Sequence, residues 1–252
     1  MKLQVILVAA GSGMRLKVSK PKPLVLLKGK PLIEHSLKVF QASRPVHSIV
    51  LVVHSDLIDV FTKLVEKRNF KKVGMIVAGG ATRSDSVQHG LSCIDDDTDV
   101  VMVHDAARPF VTEDMIKRSL QALVKDKAAI VAVPAKSTIK KVDPKNLYVL
   151  ETLPRDTLWE VQTPQTFRKD ILVKAHASQL CCDPTDDAML VEKMGIKVKV
   201  VMGDYRNIKV TIVEDLAIAE ALLRGTKDDG RWTKKTSSFV PRLSSIGKGT
   251  RG

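Results

Sequence analysis

An apolar run, Val5 to Ala10, stops abruptly at Gly11-Ser12-Gly13, and two cations follow at Arg15 and Lys22. The run reads as a buried strand. Glycines let the backbone approach a ligand closely, with successive N–H groups turned towards anionic oxygens. Arg15 and Lys22 would neutralise the charge on those oxygens. Strand, glycine turn and fixed positive charge together suit a triphosphate, although a plain strand-to-helix turn uses the same glycines. Two familiar cradles are excluded. No Gly-x-x-x-x-Gly-Lys-Ser/Thr run exists, and Leu16 stands where a dinucleotide fingerprint needs its third glycine.

Apolar segments of this kind recur along the 252 residues, a length that suits one large α/β domain or two small ones. Strands are expected at 4–9, 48–53, 74–77, 100–104, 129–134 and 197–202, and helices at 31–42, 56–67, 83–93, 113–125, 169–179, 186–193 and 213–223. This β-α-β rhythm implies a Rossmann-like α/β fold, a mostly parallel sheet with helices on both faces. Ligands of such sheets bind beyond the carboxyl ends of the strands, where the glycine loop and the segment after His104 both fall. Residues 136–162 break the rhythm. Segments 138–142 and 147–152 alternate about an Asp-Pro-Lys-Asn turn and read as an inserted β-hairpin arm. An isolated hairpin is marginal in water, so the arm is expected to pack on something, such as a second subunit.

Apolar residues make up 44% of the chain, enough for a full core. No apolar run reaches the roughly 18 residues of a membrane helix. The run at 3–10 is interrupted by Gln4 and followed at once by the glycine loop, unlike a signal-peptide core. The expected location is cytoplasmic. Cys93, Cys181 and Cys182 have no ligand-like spacing and read as reduced thiols. The net charge is +13, of which +6 lies in residues 224–252. That Gly-, Ser- and Lys-rich tail lacks hydrophobic periodicity and reads as a disordered appendage to a domain at 1–223. The remaining +7 suits an enzyme with anionic substrates. Nucleic-acid binding would call for aromatic residues among the basic ones, and aromatics are only 4% of the chain. The chain ends shortly after the last expected helix, so no fused second enzyme is expected.

Further segments carry chemistry. Gly79-Gly80-Ala81-Thr82-Arg83-Ser84-Asp85-Ser86 follows a strand and opens a helix, so its glycines can approach a base or ribose. Thr82 or Ser84 can equally be an ordinary helix cap. In His104-Asp105-Ala106-Ala107-Arg108-Pro109 the Asp105 carboxylate can hold a ribose hydroxyl, bind Mg²⁺ or orient a lysine; Arg108 can simply pair with it, and His104 reads as packed. Thr163-Pro164-Gln165, Thr185-Asp186-Asp187-Ala188 and Asn207-Ile208-Lys209-Val210-Thr211 complete the set. Thr185 or Asp186 looks like a helix cap, and Lys209 follows a strand at the same sheet end as the other loops.

These segments, in this order, resemble the 2-C-methyl-D-erythritol 4-phosphate cytidylyltransferases of the non-mevalonate isoprenoid pathway, from about residue 3 to 223. The resemblance implies that Ala9, Ala10, Gly11, Gly13, Arg15 and Lys22 hold CTP and its phosphates. It implies that Gly80, Arg83 and Ser86 read cytosine and that Asp105 and Ala106 meet the ribose. Asp105, Thr163, Thr185 and Lys209 match positions around the sugar phosphate. Thr138 and Arg155 match positions supplied by the partner's hairpin in a homodimer. Mg²⁺ would ride on the triphosphate, with no protein-built metal site. One departure is Pro23 after Pro21-Lys22, where glutamine is usual. Arg15, Lys22 and Lys209 are expected to stabilise transition-state charge and Asp105 to position the reactants. A ribitol 5-phosphate cytidylyltransferase shares the phosphate loop and hairpin, and is the alternative within the class. A basic regulatory or nucleic-acid-binding protein on the same scaffold is the alternative outside it.

Overall fold

The computed structural model describes residues 1–11, 16, 20–178 and 184–224. Chain order runs β1 (Leu3–Val8), β2 (Leu26–Leu27), β3 (Lys30–Pro31), α1 (Leu32–Ala42), β4 (Val46–Val53), α2 (Ile58–Lys67), β5 (Val73–Ala78), α3 (Arg83–Leu91) and β6 (Val100–Asp105). It continues with α4 (Glu113–Ala122), β7 (Ala128–Pro134), β8 (Lys140–Val142), β9 (Val149–Thr152), β10 (Trp159–Arg168), α5 (Lys169–Ala177), α6 (Asp187–Lys193), β11 (Lys199–Met202) and α7 (Val213–Arg224). The seven-stranded main sheet has the order β11-β7-β10-β6-β1-β4-β5. Every pairing is parallel except those of β10, which lies antiparallel between β6 and β7.

Period-two alternation along the buried strands sends side chains to two cores. Leu3, Val5 and Leu7 of β1 meet Ile33, Leu37 and Phe40 of α1, Phe61 of α2 and Ile116 of α4. Ile6 points to the opposite face, against Val87 and Leu91 of α3, Leu172 of α5 and Leu190 and Val191 of α6. Each fully buried large apolar side chain contributes roughly 1.5–3 kcal/mol. A third cluster joins Leu16, Val25 and Leu27 to Leu32, Phe110, Val210 and Ala219. It ties the segment around Lys22, the loop after β6, the Lys209 segment and α7 into one unit at the carboxyl edge of the sheet.

The six expected strands and seven expected helices are all present, with ends displaced by a few residues. Two boundaries need correction. The expected 136–162 arm is shorter, with its paired strands at Lys140–Val142 and Val149–Thr152, because Trp159–Val161 already pair with Val133, Pro134 and Ala132 of β7. β10 itself was not foreseen as a strand. The tail does not begin at 224, since Arg224 closes α7. Residues 225–252, Gly13, Arg15, Cys181 and Cys182 lie outside the described residues; Cys93 is a free thiol. No described helix is long and apolar enough to cross a membrane.

The seat of α3 on the sheet depends on Gly90. A Cβ there would stand 2.7 Å from Ile6 Cγ2 and 3.1 Å from Val52 Cγ2, two branched side chains inside the core. Gly90→Ala gains helix propensity but overpacks this contact, so a net loss of about 1–2 kcal/mol is expected by urea unfolding. A gain in stability would show that α3 has room to move outwards.

Candidate active site

The carboxyl edge of the sheet surrounds a cavity of about 680 Å³. Its walls are the end of β1 and the turn after it (Val8 to Gly11), His54 after β4, the β5–α3 turn (Gly80 to Arg83, with Ser86), Asp105 to Ala107 after β6, and the Lys22 and Lys209 segments. Local chemistry sets each wall. Gly79 permits the turn after β5 to approach the turn after β1, since a Cβ there would lie 2.3 Å from Ala10 Cβ. Thr82 caps α3 in a reciprocal capping box, accepting from the Asp85 N–H at 3.0 Å while Asp85 Oδ2 accepts from the Thr82 N–H at 2.9 Å. Ser86 Oγ accepts from the Gly80 N–H at 3.1 Å and donates to the Thr82 carbonyl at 2.9 Å. The turn is therefore fixed before any ligand arrives.

Asp105, at the end of β6, is 7% exposed. Its Oδ1 accepts from Arg83 Nε at 3.0 Å and its Oδ2 from Lys209 Nζ at 2.7 Å. Burial opposes its ionisation, but the two cations outweigh that and hold its carboxyl far below the usual carboxylate range. Arg83 Nη1 also donates to Oδ2 of the buried Asp187 at 2.8 Å, and Asp187 Oδ1 faces His176 Nε2 at 3.1 Å. The Arg108 side chain makes no hydrogen bond to the Asp105 carboxylate. Its guanidinium donates to the carbonyls of Asn207 at 2.8 Å and Val161 at 3.1 Å, which fastens the Lys209 segment to β10. Val210 N–H to the Ala107 carbonyl at 2.8 Å completes that fastening.

His104 is fully buried and packs edge-on against Phe40. Burial, despite the Arg108 carbonyl that favours its protonated form, takes its pKa down to about 4. The neutral ring then has one donor and one acceptor. Nε2–H donates to the Arg108 carbonyl at 3.0 Å, so Nδ1 accepts from the Thr163 hydroxyl at 3.0 Å. Thr163 Oγ1 in turn accepts the Asp105 backbone N–H at 3.1 Å. Thr163 thus stands behind Asp105 and not in the cavity wall.

The family model described as IspD: 2-C-methyl-D-erythritol 4-phosphate cytidylyltransferase matches residues 3–225. The chain is 42% identical over 233 residues to the 2-C-methyl-D-erythritol 4-phosphate cytidylyltransferase of Alkaliphilus oremlandii, covering 91% of this chain and 98% of that one. The protein of the same name from Alkaliphilus metalliredigens is 45% identical over 230 residues, covering 90% and 95%. Among solved structures, the 4-diphosphocytidyl-2C-methyl-D-erythritol synthase of Anaerococcus prevotii superposes with a TM-score of 0.77 at 34% identity, over 88% of this chain and 98% of that one. The chain belongs to the 2-C-methyl-D-erythritol 4-phosphate cytidylyltransferase family.

Of the positions that this cytidylyltransferase family led us to expect, Ala9, Ala10, Gly11, Lys22, Gly80, Arg83, Ser86, Asp105, Ala106 and Lys209 all line the one cavity. Thr138, Arg155, Thr163 and Thr185 do not. Arg155 donates to the Lys136 carbonyl at 3.4 Å at the root of the hairpin, and Thr185 precedes Asp186, the residue that caps α6. Sequence reasoning missed His54, and it quoted Asp187 within the Thr185–Ala188 segment without giving it a role of its own. His54 follows a strand at the ligand-binding edge, which was signal enough; Asp187 lies behind the wall and becomes visible only through its partner Arg83.

Asp105 is the one carboxylate among the described residues that line the cavity, and both its oxygens are engaged. No described cluster of three or more His, Cys, Asp or Glu suits a metal ion. This donor set fits a Mg²⁺ held by nucleotide phosphates and water, with Asp105 as the one carboxylate within the site.

His104 makes stability pH-dependent in a definite sense. Its folded pKa of about 4 lies below the ordinary 6.5, so the unfolded chain binds this proton first. Stability therefore falls as pH drops from 6.5 towards 4, by about 3 kcal/mol at the low end. Asp105, with its depressed pKa, adds a further loss below about pH 4. Chemical denaturation of the wild type and His104→Asn at pH 7, 5.5 and 4 reads the difference; parallel curves for the two proteins would remove His104 from the effect.

Proposed function

We propose that this protein transfers CMP from CTP to 2-C-methyl-D-erythritol 4-phosphate, giving 4-diphosphocytidyl-2-C-methyl-D-erythritol and pyrophosphate. The observation that carries the reading is the meeting of Lys22, Asp105 and Lys209, from distant parts of the chain, on the cavity bounded by Ala9–Gly11 and Gly80–Ser86. That edge takes the nucleotide, with cytosine against the Gly80 and Ser86 turn and the triphosphate along the glycine loop towards Arg15 and Lys22. Asp105 and Ala106 meet the ribose.

The nucleophile is an oxygen of the acceptor phosphate. A phosphomonoester with a second pKa of about 6 is already largely dianionic at neutral pH, so no strong general base is required. The new bond forms between that oxygen and the α-phosphorus, and the bond to the α,β-bridging oxygen breaks as pyrophosphate leaves. The difficulty lies in joining two polyanions. Lys22, Lys209 and Arg15 meet it with fixed positive charge, while Asp105 holds Lys209 in place. Mg²⁺, when bound on the triphosphate, supplies further charge neutralisation at the phosphoryl oxygens.

The hairpin supports a homodimer as part of this reading. Leu147, Tyr148 and Leu150 on and beside its β8–β9 turn are 77%, 73% and 61% exposed, an apolar tip that a second subunit would cover. Thr138 and Arg155 would then serve the partner's cavity, in accord with their places outside their own. The cytoplasmic location, a catalytic unit that ends with α7 at Arg224 and a basic tail beyond it belong to the same proposal.

Pyrophosphate release from CTP and Mg²⁺, with methylerythritol 4-phosphate and ribitol 5-phosphate offered separately, tests the activity. Release with the first alone is expected; release with the second alone would move the protein to the other acceptor. Lys22→Ala and Lys209→Ala should each lower kcat by about 10²–10³-fold with the fold retained. Near-normal turnover would take that lysine out of the mechanism. Arg155→Ala and Lys209→Ala proteins, each nearly inactive alone, should regain activity when refolded together, because one site of a mixed dimer is intact. Failure to recover would deny a shared site.

A further inference from the structure

A second carboxylate lies behind the cavity and has no part in the chemistry just described. Asp187 is the first residue of α6 and is 1% exposed. It does not cap the helix, because Asp186 accepts the Met189 N–H at 2.9 Å, and it does not line the cavity. A buried charge is costly, and an apolar residue of similar volume often serves packing better. What Asp187 does is grip Arg83. The planar guanidinium is held at Nη1 by Asp187 (2.8 Å) and at Nε by Asp105 (3.0 Å). Two such contacts fix its plane and rotation. Released from Asp187, Arg83 is free to turn towards a bidentate pair with Asp105, the geometry that guanidinium and carboxylate prefer. That pair needs both Asp105 oxygens, and Oδ2 is the one that holds Lys209 at 2.7 Å. His176 stands at the far end of the chain of contacts, 4% exposed in its side chain, with Nε2 at 3.1 Å from Asp187 Oδ1.

We propose that Asp187, backed by His176, is a positioning residue for cytidylyl transfer: it restrains Arg83 so that Asp105 keeps one oxygen for Lys209 in the cavity. The inference rests on the reading of the site given above.

Asp187→Asn keeps the shape and removes the charge. Its neutral Oδ1 accepts from Arg83 about half as strongly as the carboxylate does, so Arg83 turns towards Asp105, while the amide donates to His176 Nε2 once that ring takes the other tautomer. The melting temperature should therefore stay close to that of the wild type, while kcat falls by about 10²-fold, as for a small misplacement of reacting groups, with little change in KM. In an Arg83→Lys background the same substitution should have no further effect, since Asp187 acts only through Arg83. The Arg83 Nη1–H resonances in ¹⁵N spectra of the substrate-free protein, assigned by their disappearance in Arg83→Lys, should lose exchange protection in Asp187→Asn, because Nη1 is the atom that Asp187 holds. Wild-type kcat and unchanged Arg83 resonances in Asp187→Asn, or additive losses in the double variant, overturn the inference. If Asp187→Asn melts early, Asp187→Glu, which keeps the charge, must retain more kcat at equal folded fraction; the reverse order also overturns it. A wild type silent with CTP and the acceptor sinks the cytidylyl-transfer reading instead, and the Arg83 resonances then still report whether Asp187 restrains it.

Discussion

The Asp105 carboxylate is the point on which the candidate site turns. Taking a charge out of water costs on the order of several kcal/mol, and the cost is met here by two cations from opposite directions. Arg83 comes from the start of α3 and Lys209 from the segment before α7, and each donates to a different oxygen. The backbone of Asp105 is fixed separately, through Thr163 and the neutral His104, so the carboxylate has little freedom in position or in charge. A preformed arrangement of this kind needs little reorganisation when a polyanion arrives, which is where electrostatic catalysis gains most.

The sheet makes that arrangement possible. Parallel strands put the ends of β1, β4, β5 and β6 on one edge, so glycine turns and charged side chains far apart in sequence come together there. The inserted β10 runs the other way. It brings Thr163 beside β6 and, through Val161 and Gln162, offers acceptors that hold Arg108 and Asn207. The Lys209 segment is thereby tied to the sheet, with Asn207 Nδ2 donating to the Thr163 carbonyl at 2.9 Å. The third hydrophobic cluster secures the same segment from the other side through Val210 and Phe110. Polar fastening and apolar packing thus converge on the lysine.

The hairpin presents the opposite case. Its strands alternate as strands should, yet β8 and β9 pair only with each other and leave apolar side chains in water. The exposed apolar tip agrees with the proposed second subunit, and Thr138 and Arg155 at the hairpin's base lie outside the cavity described above.

Local physics alone made much of this legible. Apolar runs such as Val5–Ala10 and Val100–His104 are readable as buried strands because burial on both faces demands uniform hydrophobicity. The helices after Thr82, Thr112 and Asp186 are readable because caps and periodicity are written within a few residues. The glycine loop, Lys22, Asp105 and Lys209 could be named because strand ends carry the ligands of such folds. What only the tertiary structure decided is which charges meet. Arg108, next to Asp105 in sequence, turns to backbone carbonyls, whereas Arg83, Lys209 and Asp187 form the network. β10 likewise hides its role, because its Thr-Pro-Gln centre lacks the apolar signature of a central strand and is buried by pairing with β6 and β7. Long-range pairing depends on topology and on the cost of leaving a buried charge alone, and neither is a property of neighbouring residues.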